Sequence, residues 1–169
     1  MSAFHSRESA AVADAQSTVA APQEVLTFRL GSEEYGIDIL RVQEIRGFEQ
    51  PTRIAGSSAH VLGVLNLRGV IVPVVDLRMR FGLPTDVDST TVTVVLNLAG
   101  RTVGAVVDAV SDVTALASEQ IRPAPAMSGS VDATYITALA CLGQGESQRM
   151  LILLDIAKLM AGELPAGLH

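Results

Sequence analysis

Val64-Leu65-Asn66-Leu67-Arg68-Gly69-Val70-Ile71-Val72-Pro73-Val74-Val75-Asp76-Leu77 reads as a β-hairpin. Two runs of β-branched and aliphatic residues flank the Arg68-Gly69 step, where Gly69 supplies the positive φ of a tight reversal. Pro73 lacks the N–H donor of a central ladder position, which predicts a sheet edge or a bulge for the second run. Arg68 is therefore expected at a turn tip beside an almost wholly apolar ribbon.

The pattern returns about thirty residues later. Val95-Leu96-Asn97-Leu98-Ala99-Gly100-Arg101 is followed by Thr102-Val103-Gly104-Ala105-Val106-Val107-Asp108, so each copy runs Val-Leu-Asn-Leu, glycine turn, apolar run, Val-Val-Asp. A third apolar run ending on an aspartate is Leu151-Ile152-Leu153-Leu154-Asp155. So few copies at so loose a period exclude a solenoid and predict two similar small β units.

Around these hairpins the chain reads as all-β. Residues 24–37 alternate about Gly31 as a first hairpin, and Asp38 caps a short turn before Arg41-Val42-Gln43-Glu44-Ile45 extends as a strand. That strand sets Val42 and Glu44 on one face and Gln43 and Ile45 on the other. Gly56-Ser57-Ser58 marks a turn. Asp76 caps a short helix ending at Gly82, and Leu83 to Ser89 is the expected boundary between subdomains. Tyr135 to Leu142 and Met150 to Leu154 predict a last strand pair, and Asp155 opens a C-terminal helix closing near Gly162. Residues 1–22, rich in Ala and Ser, read as a flexible tail, and 163–169 as a second tail.

Composition narrows the function. Hydrophobic residues make up 49% of the 169 while aromatics make up 4%, so the core rests on Val, Leu, Ile and Ala. A net charge of −6 lacks the basic face that nucleic acid requires. The single Cys141 excludes an internal disulfide or a multi-cysteine zinc site, and is expected as a small buried apolar residue. No apolar run approaches the length that spans a bilayer, and no continuous apolar segment marks a secretory signal, so the expected location is the cytoplasm. His5, His60 and His169 share no ligand or acid–base spacing, and nucleotide and nucleophile-elbow motifs are missing, so no cofactor, no metal and no enzyme is expected. Asp76, Asp108 and Asp155 each follow an apolar run and read as caps. Glu44 and Arg68 are the polar residues that such patterns leave open, each as readily solvated as functional; a rigid turn beside apolar side chains suits an interface anchor. These observations point to a protein-interaction module.

Val42-Gln43-Glu44-Ile45-Arg46, Asn66-Leu67-Arg68-Gly69 through Asp76, Gly104-x-Val106-Val107-Asp108-x-Val110-Ser111-Asp112-Val113, and Glu119-Gln120-Ile121-Arg122-Pro123-Ala124-Pro125 together resemble the CheW family, coupling proteins of bacterial chemotaxis. The resemblance covers residues 23–162. It implies two five-stranded SH3-like β-barrel subdomains sharing a hydrophobic core, roughly 23–83 and 89–155, with short helices including one at 155–161. It implies a non-enzymatic adaptor that links the cytoplasmic tip of transmembrane chemoreceptors to the regulatory domain of the histidine kinase CheA. Such an adaptor works beside other couplers in array rings, at receptor clusters on the inner face of the membrane and without inserting into it. In that family the receptor helix lies in the groove between subdomains, and Val42, Glu44, Ile45 and Arg68 match the receptor-facing positions. Val92 and Val113 match the main kinase contact on the second barrel. Ile121, Arg122 and Met127 match a second kinase contact, with Met127 standing where the family has an aromatic. The same coupling in a non-flagellar pathway is the nearest alternative. More distant ones are a small-ligand-binding barrel and an enzyme that pairs Glu44 with Asp76 or Asp108.

Overall fold

The computed structural model describes residues 23–55, 60–124 and 133–161. Both expected tails, the Gly56-Ser57-Ser58 turn and Met127 lie outside them. Among the described residues the fold is all-β, two sheets with a few short helices, as expected.

The five-stranded sheet runs β3 (Val42–Gly47), β6 (Val92–Leu98), β7 (Arg101–Val107), β5 (Val70–Asp76), β4 (Val61–Leu67). Beyond β3 the chain does not leave the sheet. Thr52 exchanges two backbone hydrogen bonds with Val64 on β4, at 2.9 and 2.8 Å, so one broken strand joins the two outer edges. The second sheet runs β8 (Ala109–Ala115), β1 (Glu24–Leu30), β2 (Glu33–Asp38), β11 (Arg149–Leu154), β10 (Ile136–Leu142), β9 (Ile121–Arg122). It repeats the device, because β8 and β9 are the two halves of a strand interrupted by a 3₁₀ turn at Ser118–Gln120. Counting each broken strand once, both sheets curl into five-stranded barrels.

Strand connectivity departs from the sequence reading in two respects. The two similar hairpins, β4–β5 and β6–β7, are not one per barrel; they are neighbours in one sheet, joined by a parallel pairing of Val74 with Gly104. The counterpart of β4–β5 in the other barrel is β10–β11, joined to β2 by the parallel pairing of Leu153 with Gly36. Each half of the chain therefore lends its first hairpin, β1–β2 or β6–β7, to the other half's barrel. The expected boundary at 83–89 separates the halves of the chain but not the sheets.

Pro73 is likewise not at an edge. β5 is an interior strand, but Val64 turns its own N–H and C=O to Thr52, so Val64 and Pro73 face each other without exchanging bonds. The ladder to β7 begins one residue later, at Val74. The donor that proline lacks is thus not required there.

The exchange explains the unbroken apolar runs. Val72 and Val74 fill the five-stranded barrel with Leu65, Leu67, Val95 and Val106, and Val25, Leu151 and Leu153 help fill the other. The opposite faces of the same strands, through Leu26, Phe28, Val75, Val94, Leu96, Ile152 and Leu154, pack into a larger core between the barrels. Strands buried on both faces lose the polar alternation of a half-buried sheet. Aromatics concentrate in this shared core, where Tyr35 stacks between Phe28 and Phe81 at centroid distances of 5.9 and 6.0 Å.

Three of the four expected aspartate caps form, the first where Asp38 accepts from the Leu40 N–H. Asp76 accepts from the Arg78 N–H at the start of α1 (Leu77–Arg80), and Asp155 accepts from the Lys158 N–H in α2 (Ile156–Ala161). Asp108 caps no helix; its carboxylate accepts from the Gly31 N–H at 2.8 Å and meets Arg78 at 3.4 Å. Cys141 is only partly buried, contrary to expectation, because it faces outward on β10 between the buried Ala140 and Leu142.

Candidate functional site

Asn66-Leu67-Arg68-Gly69 closes its hairpin with two consecutive left-handed residues, Arg68 at φ 53° and Gly69 at φ 88°. This is the geometry of a type I′ turn, which matches the twist of the flanking strands. Asn66 makes it tolerable for arginine: its Oδ1 accepts from the Gly69 N–H at 2.8 Å. Asn97 does the same for Gly100 at 3.1 Å, with Ala99 at φ 53°, so the shared Asn-Leu-x-Gly pattern is a turn signal.

The turn carries Arg68 to the seam where the β3 segment meets β4. There its Nη2 donates to Glu44 Oε2 at 2.6 Å, and Arg46 Nη1 donates to Glu44 Oε1 at 3.1 Å. Arg46 also lies 3.6 Å from Glu49. The Glu44 carboxylate is held below its usual range by the Arg68 hydrogen bond first and the Arg46 hydrogen bond next, against a smaller opposing effect of desolvation. The structure thus brings Glu44 and Arg68 together and adds Arg46, which sequence reading had not singled out. A depressed carboxylate contributes its pairing at pH above the unfolded range and loses it as pH falls through the folded value. Arg68→Ala is therefore expected to move the Glu44 titration upward in carboxyl NMR, while an unchanged midpoint would show the contact to be absent in solution.

Val42 and Ile45 sit differently. The strand alternates as expected, leaving Ile45 45% exposed while Val42 is partly buried against the shared core. Near the hairpin tip, Val70 and Ile71 are also exposed. Immediately before Val42, Arg41 lines a cleft of about 250 Å³ with Leu98, Ala99, Val103, Ala157 and Met160. This cleft lies between the β6–β7 tip and α2, at the junction of the two barrels, and has no local sequence signal because its walls come from three distant segments.

The described residues assigned to kinase contact divide between the two barrels. Val113 is exposed on β8, which pairs only with β1. Ile121 and Arg122 lie on β9, the second half of the same broken strand, Ile121 partly buried against Leu116 and its neighbours, Arg122 exposed and donating to the Glu119 carbonyl. Val92 is not on this barrel: it lies on β6 of the five-stranded sheet, opposite Gly47 and Val107, and packs partly into the shared core. It was misplaced because β6 crosses into the other half's barrel.

Glu44, Asp76 and Asp108 do not assemble as an acid pair. Glu44 is engaged by Arg46 and Arg68, whereas Asp76 binds Arg78 through both oxygens, at 3.0 and 2.9 Å, with Asp108 on the other side of that guanidinium. Arg78 is itself 1% exposed. Its basicity is raised; burial opposes this, but the bonds to Asp76 and then Asp108 outweigh it. Its Nη1 also donates to the Asp86 carbonyl at 2.7 Å, so one buried arginine ties α1, the segment after it and the end of β7 together. No helix among the described residues is long and apolar enough to cross a membrane.

A family model described as a CheW-like domain matches residues 24–163. The chain is 55% identical over 142 residues to the chemotaxis protein CheW of Klebsiella aerogenes, covering 83% of each chain. It is 34% identical over 140 residues to the probable chemotaxis protein CheW of Rhizobium etli, covering 82% of this chain and 88% of that one. The crystal structure of the scaffolding protein TtCheW from Thermoanaerobacter tengcongensis matches with a TM-score of 0.69 at 29% identity, over 79% of this chain and 89% of that one.

Proposed function

Because the chain belongs to the CheW-like family of chemotaxis scaffold proteins, we propose that it couples the cytoplasmic tip of transmembrane chemoreceptors to the regulatory domain of the histidine kinase CheA. It acts as a non-enzymatic adaptor at receptor clusters on the cytoplasmic side of the membrane. The observation that carries this reading is the Glu44–Arg68 bridge, a fixed polar pair at the surface, with Val70 and Ile71 exposed on the strand that leaves the Arg68 turn. An apolar surface with a central oriented charge is the makeup of an interface anchor. The cleft at the barrel junction supports the same reading, because its apolar walls and the flanking Arg41 suit an amphipathic helix.

The receptor-facing set is Val42, Glu44, Ile45 and Arg68, to which we add the exposed Arg41 at the mouth of the cleft. The kinase-facing set is Val113 with Ile121, Arg122 and Met127; Val92, on the other barrel and half-packed, belongs to it only if the kinase spans both sheets. Arg68→Asp is expected to abolish co-sedimentation with receptor-containing membranes while preserving kinase binding. Val113→Asp is expected to do the reverse. Both positions are exposed, so neither change disturbs a packed core. Normal receptor binding by Arg68→Asp, or normal kinase binding by Val113→Asp, would overturn the corresponding assignment.

A further inference from the structure

The two halves of the chain correspond position by position. Gly36 of β2 pairs in parallel with Leu153 of β11, as Gly104 of β7 pairs with Val74 of β5. In each half the apolar strand ends two residues later on the aspartate that caps the following helix. The β1–β2 tip turns on the left-handed Gly31, at φ 64°, and the β6–β7 tip on the left-handed Ala99, at φ 53°. After α1 the chain reverses at Gly82, and Leu83 donates its N–H to the Arg78 carbonyl at 2.8 Å. This lays the Leu83 side chain on the β1–β2 tip: a methyl group added at Gly31 would meet Leu83 Cδ2 at 3.3 Å. Leu83 thereby covers the notch between tip and helix and packs against the shared core. In the other half the equivalent notch, between Ala99 and α2, is the cleft of about 250 Å³.

The sequence repeats the cover as well as the notch. Gly82-Leu83-Pro84 follows α1, and Gly162-Glu163-Leu164-Pro165 follows α2. We propose that Leu164 seats in this cleft as Leu83 seats on Gly31, so that the chain's own segment competes with a receptor helix for the junction of the barrels. The competition, though not the seating, rests on the receptor-facing reading given above. Glycine favours the reversal that ends a helix, and a following proline holds the leucine before it in extended geometry, so both segments turn a leucine out of the helical path. Ala161 itself lines the cleft, and three extended residues beyond it span about 10 Å, which brings Leu164 within reach. The floor of Leu98, Val103 and Met160 is apolar, which suits leucine, while Arg41 and Arg101 in the same lining complement Glu163, the acid this segment has in addition. So short a tether raises the effective concentration of Leu164, and a weak contact suffices.

The test uses the full chain with labelled methyl groups. Nuclear Overhauser contacts are expected from the Leu164 methyls to Leu98, Val103 and Met160, lost in Leu164→Asp and weakened in Glu163→Lys. They should persist on dilution and be absent between differently labelled molecules. A helical-hairpin fragment of a receptor cytoplasmic tip should displace them. It should bind Leu164→Asp at least about threefold more tightly than wild type, because apparent affinity falls with the fraction of molecules whose site is free. Kinase binding should be the same in both. No contact from Leu164 to the cleft in the wild type, or contacts only between molecules, would overturn the seating. Intramolecular contacts with equal receptor affinity in wild type and Leu164→Asp would overturn the competition. Intramolecular contacts in a protein that binds the kinase but, with or without Leu164→Asp, no receptor fragment would instead overturn the receptor-facing reading and the competition with it, and leave the seating standing.

Discussion

Arg78→Met is expected to destabilise the protein by about 3–5 kcal/mol, the cost of leaving buried charges without a partner. The side chain is 1% exposed and holds Asp76 through two hydrogen bonds and Asp108 through a third contact at 3.4 Å. Methionine fills similar volume, so the loss reports charge rather than a cavity. The urea midpoint should fall without a large change in slope, and the thermal midpoint should drop on the order of 10 °C. Two controls separate mechanism from packing. Asp76→Asn combined with Arg78→Met should recover part of the loss, because it removes one unpaired charge. Acidification should narrow the gap between variant and wild type, since a proton taken up by an unpaired buried carboxylate favours the folded variant. Equal stability of Arg78→Met and wild type at neutral pH would show that the cluster does not tie the halves together.

Gly63→Ala should open the five-stranded barrel. Gly63 adopts φ 150°, and a Cβ there would lie 2.1 Å from the Thr52 carbonyl oxygen, with the Thr52 carbonyl carbon at 2.6 Å. No rotamer relieves a clash between Cβ and backbone, so β4 must move away from Thr52. The two Thr52–Val64 hydrogen bonds that close the seam would be lost, at about 1 kcal/mol each net. With the backbone strain itself, the expected cost is about 3 kcal/mol or more. Gly69→Ala is the contrast: φ is also positive, but nothing lies within 4 Å of the added methyl, so only the local backbone preference is disturbed. Amide exchange at Thr52 and Val64 should rise sharply in Gly63→Ala and remain slow in Gly69→Ala. Protected Thr52 and Val64 amides in Gly63→Ala would contradict the closure.

The consequence of that closure reaches the candidate site. Glu44 and Arg68 face each other across the seam that Thr52 and Val64 close, so an open barrel separates the pair. Gly63→Ala should therefore also weaken the proposed receptor-facing surface, although it touches none of its side chains.

The hairpins were legible because their information is local. Asn66 and Gly69 specify a turn within four residues, and Asp76, Asp155 and Asp38 each cap the element that follows them. Pairing between distant strands was not legible. Nothing in Val92-Thr93-Val94-Val95-Leu96 indicates that it will join β3 as well as β7, and the repeat with Val64 to Asp76 suggested separate barrels when it marked adjacent hairpins. The edge expected at Pro73 failed for the same reason, since its tolerance depends on where a parallel ladder begins, although the β4–β5 pair does carry an irregularity of register between Val61 and Gly63. The Asp76 carboxylate read correctly as a cap, but nothing in the local sequence marks Arg78 as its buried partner. Only the packing of the 83–91 segment over α1 buries it. At the site, Glu44 and Arg68 emerged from turn chemistry, strand alternation and family likeness, while Arg46 and the cleft around Arg41 and Met160 required the assembled fold.

The central claim is that one molecule joins a receptor surface to a kinase surface, and reconstitution tests it most directly. CheA autophosphorylation would be measured with receptor-containing membranes, with and without this protein. Strong stimulation only when all three components are present is the predicted result, with both Arg68→Asp and Val113→Asp abolishing it. Full stimulation without the protein, or none with the folded protein in the presence of cognate receptor and kinase, would contradict the coupling role.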